Sequence, residues 1–450
     1  MAAAFSITRV TALWDRLNSS FWFVPAVMAV AAVALSFALI EIDSLRQEST
    51  TDDPSAFYTF GPEGARAILS VIASSMITVA SLIFSITMLS LQLASSQFGP
   101  RVLGNFMRDR TNQVVLGTFI ATFLYCLFVL RSVRGMEGAS FVPHLSVAFG
   151  ILLAAASVAV LIYFIHHIAT SIRVETLLEK LAVDGCDAVD RLFPERLGRG
   201  PETDGSEKAA HRQLPDDFDS ESRQIAADSS GYVQNIGVDV LMRLATEHDL
   251  VLRIEAPPGR FVADGACVII AYPGDRVSDE IAEDLRGAVV IGRGRTSYQD
   301  LDFAIRRIVE LAQRSLSPGI NDPTTALYCI DRLGEVLGRL AGREIPSPTR
   351  VDDRGQLRVV TDVVALKDVA CQAFAAIARY GITDTDVVIR LAETISDLEM
   401  SVPTAARKGI AELRDQILTA STASAILGHD RNIISDLQGR NGMPPSPSNA

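Results

Sequence analysis

The sequence predicts an α-helical membrane protein with four transmembrane helices and a cytoplasmic α+β part, in which a small β-rich module precedes a mainly helical domain. Three observations lead to this fold class. Hydrophobic residues make up 48% of the 450 residues, and the longest apolar stretches fall within the first 170 positions. Beyond them, short strand-like runs come first and amphipathic helical patterns follow. The formal net charge of −12 disfavours nucleic acid as a partner.

Four apolar stretches are long enough to cross a hydrocarbon core of about 30 Å. They follow a cytoplasmic N-terminal segment, 1–21, and form a transmembrane domain over 22–170. Their approximate bounds are 22–40, 67–93, 113–130 and 142–168. The second stretch belongs to an uncharged run over 67–100, which as one helix would reach roughly 50 Å. We therefore expect this helix to tilt, bend or project beyond the membrane.

The charge of the connecting segments predicts the orientation of the helices. Segment 94–112 carries three arginines against one aspartate, whereas segment 41–66 carries six acids against two arginines. Positively charged loops favour the cytoplasm. We therefore expect both termini, and with them the large C-terminal part, on the cytoplasmic side.

A polar line, named here the polar stripe, runs along the second apolar stretch. Its members recur every three or four residues with one gap at Met88, and they are Ser74, Thr78, Ser81, Ser85, Gln92 and Ser96. This spacing places them on one face of a helix. Small hydroxylated residues often form a packing seam between helices. If the second helices of several subunits meet at a symmetry axis, the same residues line a hydrated path instead.

The second helix should end or bend at Gly99 and Pro100, because proline lacks the amide hydrogen that continues a helix. No ionisable residue lies in the middle of any of the four stretches. The usual mark of a proton relay or an ion-coupled transporter is therefore missing.

The C-terminal part divides by composition and period. We expect a stalk helix over 171–196, a flexible loop over 197–228, a β-rich module over 229–298, a mainly helical domain over 299–438 and a disordered tail over 439–450. Within the helical domain, Asn321-Asp322-Pro323 predicts a helix start, because an Asx side chain caps well and proline suits the first turn.

Candidate chemical groups are few. Four arginines are candidates for contact with an anion or a lipid headgroup, although solvated arginines on a turn and a helix face explain them as well: Arg293, Arg295, Arg306 and Arg307. The five cysteines form no CxxC pair, and the soluble histidines stand alone, so we expect no metal site and no cofactor. No nucleophile–base pair is apparent, and we do not expect an enzyme.

Three long stretches together resemble a known family. They are "FSITMLSLQLASSQFGPRVLGNFMRDRTNQVVLGTFIATFLYCLFVLRSV", "SGYVQNIGVDVLMRLATEHDLVLRIEAPPGRFV" and "ELAQRSLSPGINDPTTALYCIDRL". These resemble the predicted bacterial membrane proteins grouped as domain of unknown function 2254, over about residues 10–435. The resemblance implies a bacterial inner-membrane protein with four spans and a cytoplasmic domain, and it supplies no activity, ligand or catalytic residue.

Two functions follow as hypotheses. The first is a homo-oligomeric inner-membrane protein in which the polar stripe lines a channel or solute path and the cytoplasmic part assembles or gates it. Its order of elements is similar in layout to mechanosensitive channels of small conductance, which is an analogy of architecture alone. The second is a non-conducting, membrane-anchored regulatory or scaffold protein whose cytoplasmic part binds a partner or a small ligand. In the second case the stripe is dry and lies inside one subunit.

Overall fold

The structure is a computed structural model. It describes residues 22–49, 61–98, 109–136, 139–171, 173–193, 214–343, 347–362, 365–402, 404–424 and 428–439. The chain divides into two compact units, unit 1 over Met1–Arg173 and unit 2 over Val174–Ala450.

Unit 1 contains four long helices. These are α1 (Phe23–Ser49), α2 (Pro62–Phe98), α3 (Arg110–Ser132) and α4 (His144–Ser171). All four are long and apolar enough to cross a membrane, so the prediction of four candidate membrane helices is confirmed. A short antiparallel hairpin, β1 (Arg134–Met136) and β2 (Ala139–Phe141), joins α3 to α4.

Helices α1 and α2 extend furthest beyond their predicted apolar stretches. Helix α1 continues from the predicted end at 40 to Ser49, so the acidic residues Glu41 and Asp43 are helical rather than part of a loop. Helix α2 has 37 residues, or about 55 Å at 1.5 Å per residue. Apolar composition identifies only the part of a helix that suits lipid, whereas the helical hydrogen bonding of the backbone continues into the polar residues on either side.

Helix α3 is the central helix of unit 1, because among the four described helices it packs most extensively against the other three. Gly117 explains how closely α1 and α3 approach. A Cβ atom there would lie 2.6 Å from the Sδ of Met28 and 3.2 Å from the Cα of Pro25. Small residues at helix contacts permit this kind of close packing in membranes.

Unit 2 begins with α5 (Val174–Leu192), which packs on two later helices rather than standing alone as a stalk. One face of α5 is buried, including Leu178, Leu181 and Val189. The sequence showed this apolar face but not the surface that covers it, so the predicted stalk is a folded part of unit 2.

Two sheets follow in unit 2. The five-stranded sheet has the order β3-β7-β5-β10-β9, and the three-stranded sheet has the order β6-β4-β8. The strands are β3 (Arg223–Ala226), β4 (Gly231–Ile236), β5 (Val251–Ile254), β6 (Phe261–Val262), β7 (Cys267–Tyr272), β8 (Val289–Gly292), β9 (Thr349–Val351) and β10 (Leu357–Val360). Between the described strands, β5 and β10 form a parallel pair, with Val360 beside Arg253.

The helices of unit 2 flank these sheets and then form a layer of their own. The short ones among the strands are α6 (Phe218–Glu221), α7 (Val238–Glu247) and α8 (Asp279–Gly287). The later ones are α9 (Leu301–Ser315), α10 (Pro323–Ala341), α11 (Leu366–Gly381), α12 (Thr385–Ser401), α13 (Thr404–Ser424) and α14 (Gly428–Gly439). Helix α10 begins as predicted: Asp322 is its N-cap and accepts from the amide of Thr325, and Pro323 occupies the first turn.

Two predicted boundaries in unit 2 are corrected. Part of the predicted flexible loop, from 214 to 228, folds as α6 and β3, because Phe218 and Ile225 are each only 2% exposed. The hairpin β9–β10 lies inside the predicted helical domain but joins the sheet of the β-rich module. Single apolar residues in a polar segment, and strands that pair over a long sequence separation, cannot be recognised from local composition. The N-terminal segment 1–21 and residues 440–450 of the predicted disordered tail lie outside the described residues.

Candidate functional site

The polar stripe lies on the outer surface of unit 1. All six of its residues are exposed within the chain. Large apolar side chains flank the stripe and are exposed as well, among them Leu82, Phe84 and Leu89. The stripe is therefore a narrow polar line set in an apolar outer surface.

The face that α2 buries against its own chain lies on the other side of the helix. Nine positions form this face: Ala65, Leu69, Ala73, Met76, Ala80, Ile83, Thr87, Ser90 and Ala94. With about 100° between successive residues, the mean direction of the stripe differs from that of the buried face by about 165°. The stripe is thus directed away from α1, α3 and α4.

The hydroxyls of the stripe donate to carbonyls of their own helix. Thr78 donates to the carbonyl of Ser74 at 2.8 Å, and Ser85 donates to that of Ser81 at 2.9 Å. Ser81 bonds in the same way to Ile77 at 2.9 Å. These bonds satisfy each donor in a low-dielectric setting and leave acceptor lone pairs on the hydroxyl oxygens directed outward.

The structure therefore distinguishes between the two interpretations of the stripe, as a packing seam within one chain or as a surface directed away from it. Among the described residues, the stripe does not pack against another helix of the same chain, because the opposite face of α2 makes those contacts. Contact with a second copy of the chain and contact with a hydrated path both remain compatible with an outward stripe. The predicted bend at Gly99 and Pro100 lies outside the described residues.

A carboxylate that the sequence analysis missed joins two helices of unit 1. Asp43 is 9% exposed, and its Oδ1 accepts from the amide of Leu145 at 3.0 Å. Its Oδ2 accepts from the amide and the hydroxyl of Ser146, at 2.9 and 2.7 Å. A side chain of α1 thereby caps the first turn of α4, where an anion is favoured. The local sequence gave no signal, because the capping residue is more than 100 positions from the helix that it caps.

A second polar contact lies at the other end of α4. His167 Nε2 is 2.8 Å from Asp109 Oδ2, and the His167 ring stacks on Tyr163 with a centroid separation of 6.0 Å. Asp109 also caps α3 through the amide of Thr111 at 2.9 Å. This pair ties the C-terminal part of α4 to the N-terminus of α3.

The four candidate arginines do not form one anion site. Arg295 is held by Asp300 at 2.7 Å and by Asp302 at 2.9 Å; burial opposes its charge, but these carboxylates raise its pKa. Arg306 is 3.5 Å from Asp302. Arg293 is exposed. Asp300 and Asp302 therefore form ion pairs with two of the four candidate arginines, Arg295 and Arg306.

Arg307 differs from the other three because it is buried. Its side chain is 6% exposed, and Nη1 lies 3.1 Å from Asp184 Oδ2 on α5. Its Nε and Nη2 are buried without a hydrogen-bond partner. Arg307 thus contributes a helix-to-helix ion pair with incompletely satisfied donors, not an exposed headgroup contact.

Cysteine and metal chemistry has little support in the described residues. Among them, no group of three or more His, Cys, Asp or Glu side chains is placed to hold a metal. Burial raises the pKa of the thiols of Cys186, Cys329 and Cys371. These thiols are therefore protonated at neutral pH and poorly nucleophilic.

Comparison with known proteins settles the family. The model of the family described as "Predicted membrane protein (DUF2254)" matches residues 18–397. The chain belongs to this family. The match covers most of both units of this DUF2254 protein, and the resemblance drawn from the sequence is confirmed.

Relatives of this DUF2254 protein occur in mycobacteria. It is 32% identical over 404 residues to an uncharacterized protein of Mycobacterium tuberculosis, with 88% of this chain and 75% of the relative covered. An uncharacterized protein of Mycobacterium bovis matches to the same extent, with 32% identity over 404 residues. No solved structure matches this chain.

Proposed function

We propose that this DUF2254 protein is a homo-oligomeric protein of the bacterial inner membrane in which α2 helices from several copies meet along the polar stripe and line a channel or solute path. Unit 2 lies in the cytoplasm, as do both termini, and assembles or gates the path. The proposal assigns no catalysis, cofactor or nucleic-acid partner to the chain.

One observation carries the proposal: the stripe lies about 165° around α2 from the face that packs within the chain. A helix face directed at lipid alone gains nothing from a line of hydroxyl and amide groups, because lipid tails offer no hydrogen bonds. At a symmetry axis the same residue of each copy approaches the axis. The outward lone pairs then offer weak oxygen ligands, which suit conduction because ions must leave as well as enter.

A non-conducting, membrane-anchored scaffold is the second candidate, and a separate observation favours it. Ser74, Thr78, Ser81, Ser85 and Ser96 all donate to carbonyls of α2 itself. This arrangement also satisfies hydroxyls that face lipid. In this candidate the stripe is dry, and unit 2 carries the function by binding a partner or a small ligand.

Single-cysteine labelling tests the channel. In a full-length background without the five native cysteines, cysteine replaces Ser81 or Ser85 on the stripe, Leu82 or Phe84 on the exposed flanks, and Ile83 on the buried face. We expect a membrane-impermeant thiol reagent to modify only the two stripe positions, and oxidation to cross-link these positions between copies.

The flanking positions are the matched controls, because they share the exposure and depth of the stripe but not its direction. If Ser81→Cys and Ser85→Cys react no faster than Leu82→Cys and Phe84→Cys, and form no cross-link, the channel is wrong and the scaffold is favoured. If the path conducts, Ser81→Leu combined with Ser85→Cys, and Ser85→Leu combined with Ser81→Cys, should each abolish solute flux into proteoliposomes, while the remaining cysteine still cross-links the copies.

A further inference from the structure

A cavity of about 280 Å³ opens in unit 2 at the carboxyl ends of the parallel strands β5 and β10. The residues that line it are Arg253, Ile254, Glu255, Arg260, Val360, Thr361 and Asp362. Ligands of open α/β sheets bind in the crevice beyond the carboxyl ends of strands. This cavity shares no residue with the polar stripe or the candidate arginines.

Arg253 is a preorganised charge within the cavity. Its Nε lies 2.5 Å from Glu255 Oε1 and its Nη1 lies 3.1 Å from Asp219 Oδ1. Its guanidinium carbon is 5.1 Å from the centroid of the Phe218 ring. The side chain is 19% exposed, so little rotamer freedom remains to be lost when a ligand binds.

Arg260 and Asp362 supply the charges that the chain itself leaves available. Arg260 Nη1 donates to the backbone carbonyl of Glu255 at 2.5 Å, which fixes its position. In the described part of the chain, no carboxylate pairs with Arg260 and no cation pairs with Asp362. The segment that carries Asp362 is held by the amide of Thr361, which donates to the carbonyl of Pro348 at 2.9 Å.

The mixture of charges selects the class of ligand. A simple anion would meet the carboxylates of Glu255 and Asp362, and a simple cation would meet two guanidinium groups. A molecule with both charges complements both sets of side chains. Because the volume is near the lower end of ligand clefts, at about 300 Å³, the ligand is small.

We infer that unit 2 binds a small zwitterion, a free α-amino acid, whose carboxylate is bound by Arg260 and whose ammonium group is bound by Asp362. Thr361 lines the same space. The inference goes beyond the proposed channel and is independent of it, since either can fail while the other stands.

Isothermal titration of the full-length protein in detergent tests the inference. The probes are the twenty L-amino acids, the C-terminal amide of any that binds, inorganic phosphate and putrescine. We expect at least one amino acid to bind. Its amide should bind about ten-fold more weakly or worse, because charge-assisted hydrogen bonds to the carboxylate are lost.

Matched variants locate the site. Arg260→Gln and Asp362→Asn should each weaken binding by about ten-fold or more. Arg243→Gln and Asp353→Asn remove the same charges from exposed positions outside the cavity and should leave binding unchanged. The inference is overturned if no amino acid binds, if only phosphate or putrescine binds, or if both cavity variants bind the amino acid as well as the unaltered protein.

Discussion

The buried ion pair between α5 and α9 allows a sharp test of how unit 2 is held together. Asp184→Ala removes the carboxylate that lies 3.1 Å from Arg307 Nη1. Arg307 is 6% exposed and its other donor nitrogens have no partner. The substitution leaves a buried guanidinium without any counter-charge, so we expect unit 2 to be destabilised.

The exposure of the two side chains sets the magnitude. Breaking a fully buried pair costs about 3–5 kcal/mol, whereas an exposed pair contributes about 0–1 kcal/mol. Asp184 is 41% exposed, so water screens its end of the contact and an intermediate cost of about 2 kcal/mol is expected. For a unit that spans Val174–Ala450, that corresponds to a fall of about 3–4 °C in Tm.

The opposite substitution should behave differently. Arg307→Met removes the buried charge together with its unpartnered donors and leaves Asp184 partly in water. Replacement of a buried charge by an apolar side chain of similar volume is often neutral or stabilising. We therefore expect little change or a small rise in Tm, and we expect Arg307→Met to rescue Asp184→Ala in the double variant.

Cys329 provides the assay. It is fully buried on α10, so a fluorogenic maleimide reports the unfolding of unit 2 in a full-length chain that keeps only this cysteine. Asp187→Ala is the matched control, because it removes an exposed carboxylate from the same helix. The reasoning is refuted if Asp184→Ala lowers Tm no more than Asp187→Ala, or if Arg307→Met is as damaging as Asp184→Ala.

Three further predictions concern a turn, a cap and an acid-sensitive carboxylate. Gly259→Ala should lower the free energy of unfolding of unit 2 by about 1–3 kcal/mol more than Gly265→Ala, because both glycines have positive φ but only at Gly259 would a Cβ meet Asp300 Oδ2, at 2.3 Å. Equal losses in the same maleimide assay would contradict the steric explanation. Asp43→Ala should destabilise unit 1 by about 1–2 kcal/mol, as reported by the reactivity of Cys126, and Asp43→Asn should lose less because it keeps one acceptor oxygen; no difference from the unaltered protein would exclude the cap. The backbone amide of Gln356 and the guanidinium of Arg358 lower the pKa of Asp352. The stabilisation that ionised Asp352 provides is therefore fully present above its unfolded pKa of about 4, and it is lost as pH falls through the lower folded pKa. In the Asp352→Asn variant, the Tm of unit 2 should fall less steeply as pH is lowered below about 4. An unchanged dependence of Tm on pH would refute this assignment.

Much of the fold was determined by the sequence alone. The four apolar stretches required membrane helices, since an uncharged run of about 20 residues is long enough to span lipid. Asp322 and Pro323 marked the start of α10, because capping depends on neighbouring residues. The motifs of both units were also specific enough to indicate the family.

The direction of the polar stripe, the capping of α4 by Asp43 and the burial of Arg307 were decided only by the tertiary structure. A helical period shows that residues share a face but not whether that face meets another helix or the surroundings. Asp43 and Leu145, like Arg253 and Val360, are about 100 residues apart, and no local pattern links residues at that separation. The cavity at the ends of β5 and β10 likewise exists only because a late hairpin joins an early sheet, which is a product of long-range packing.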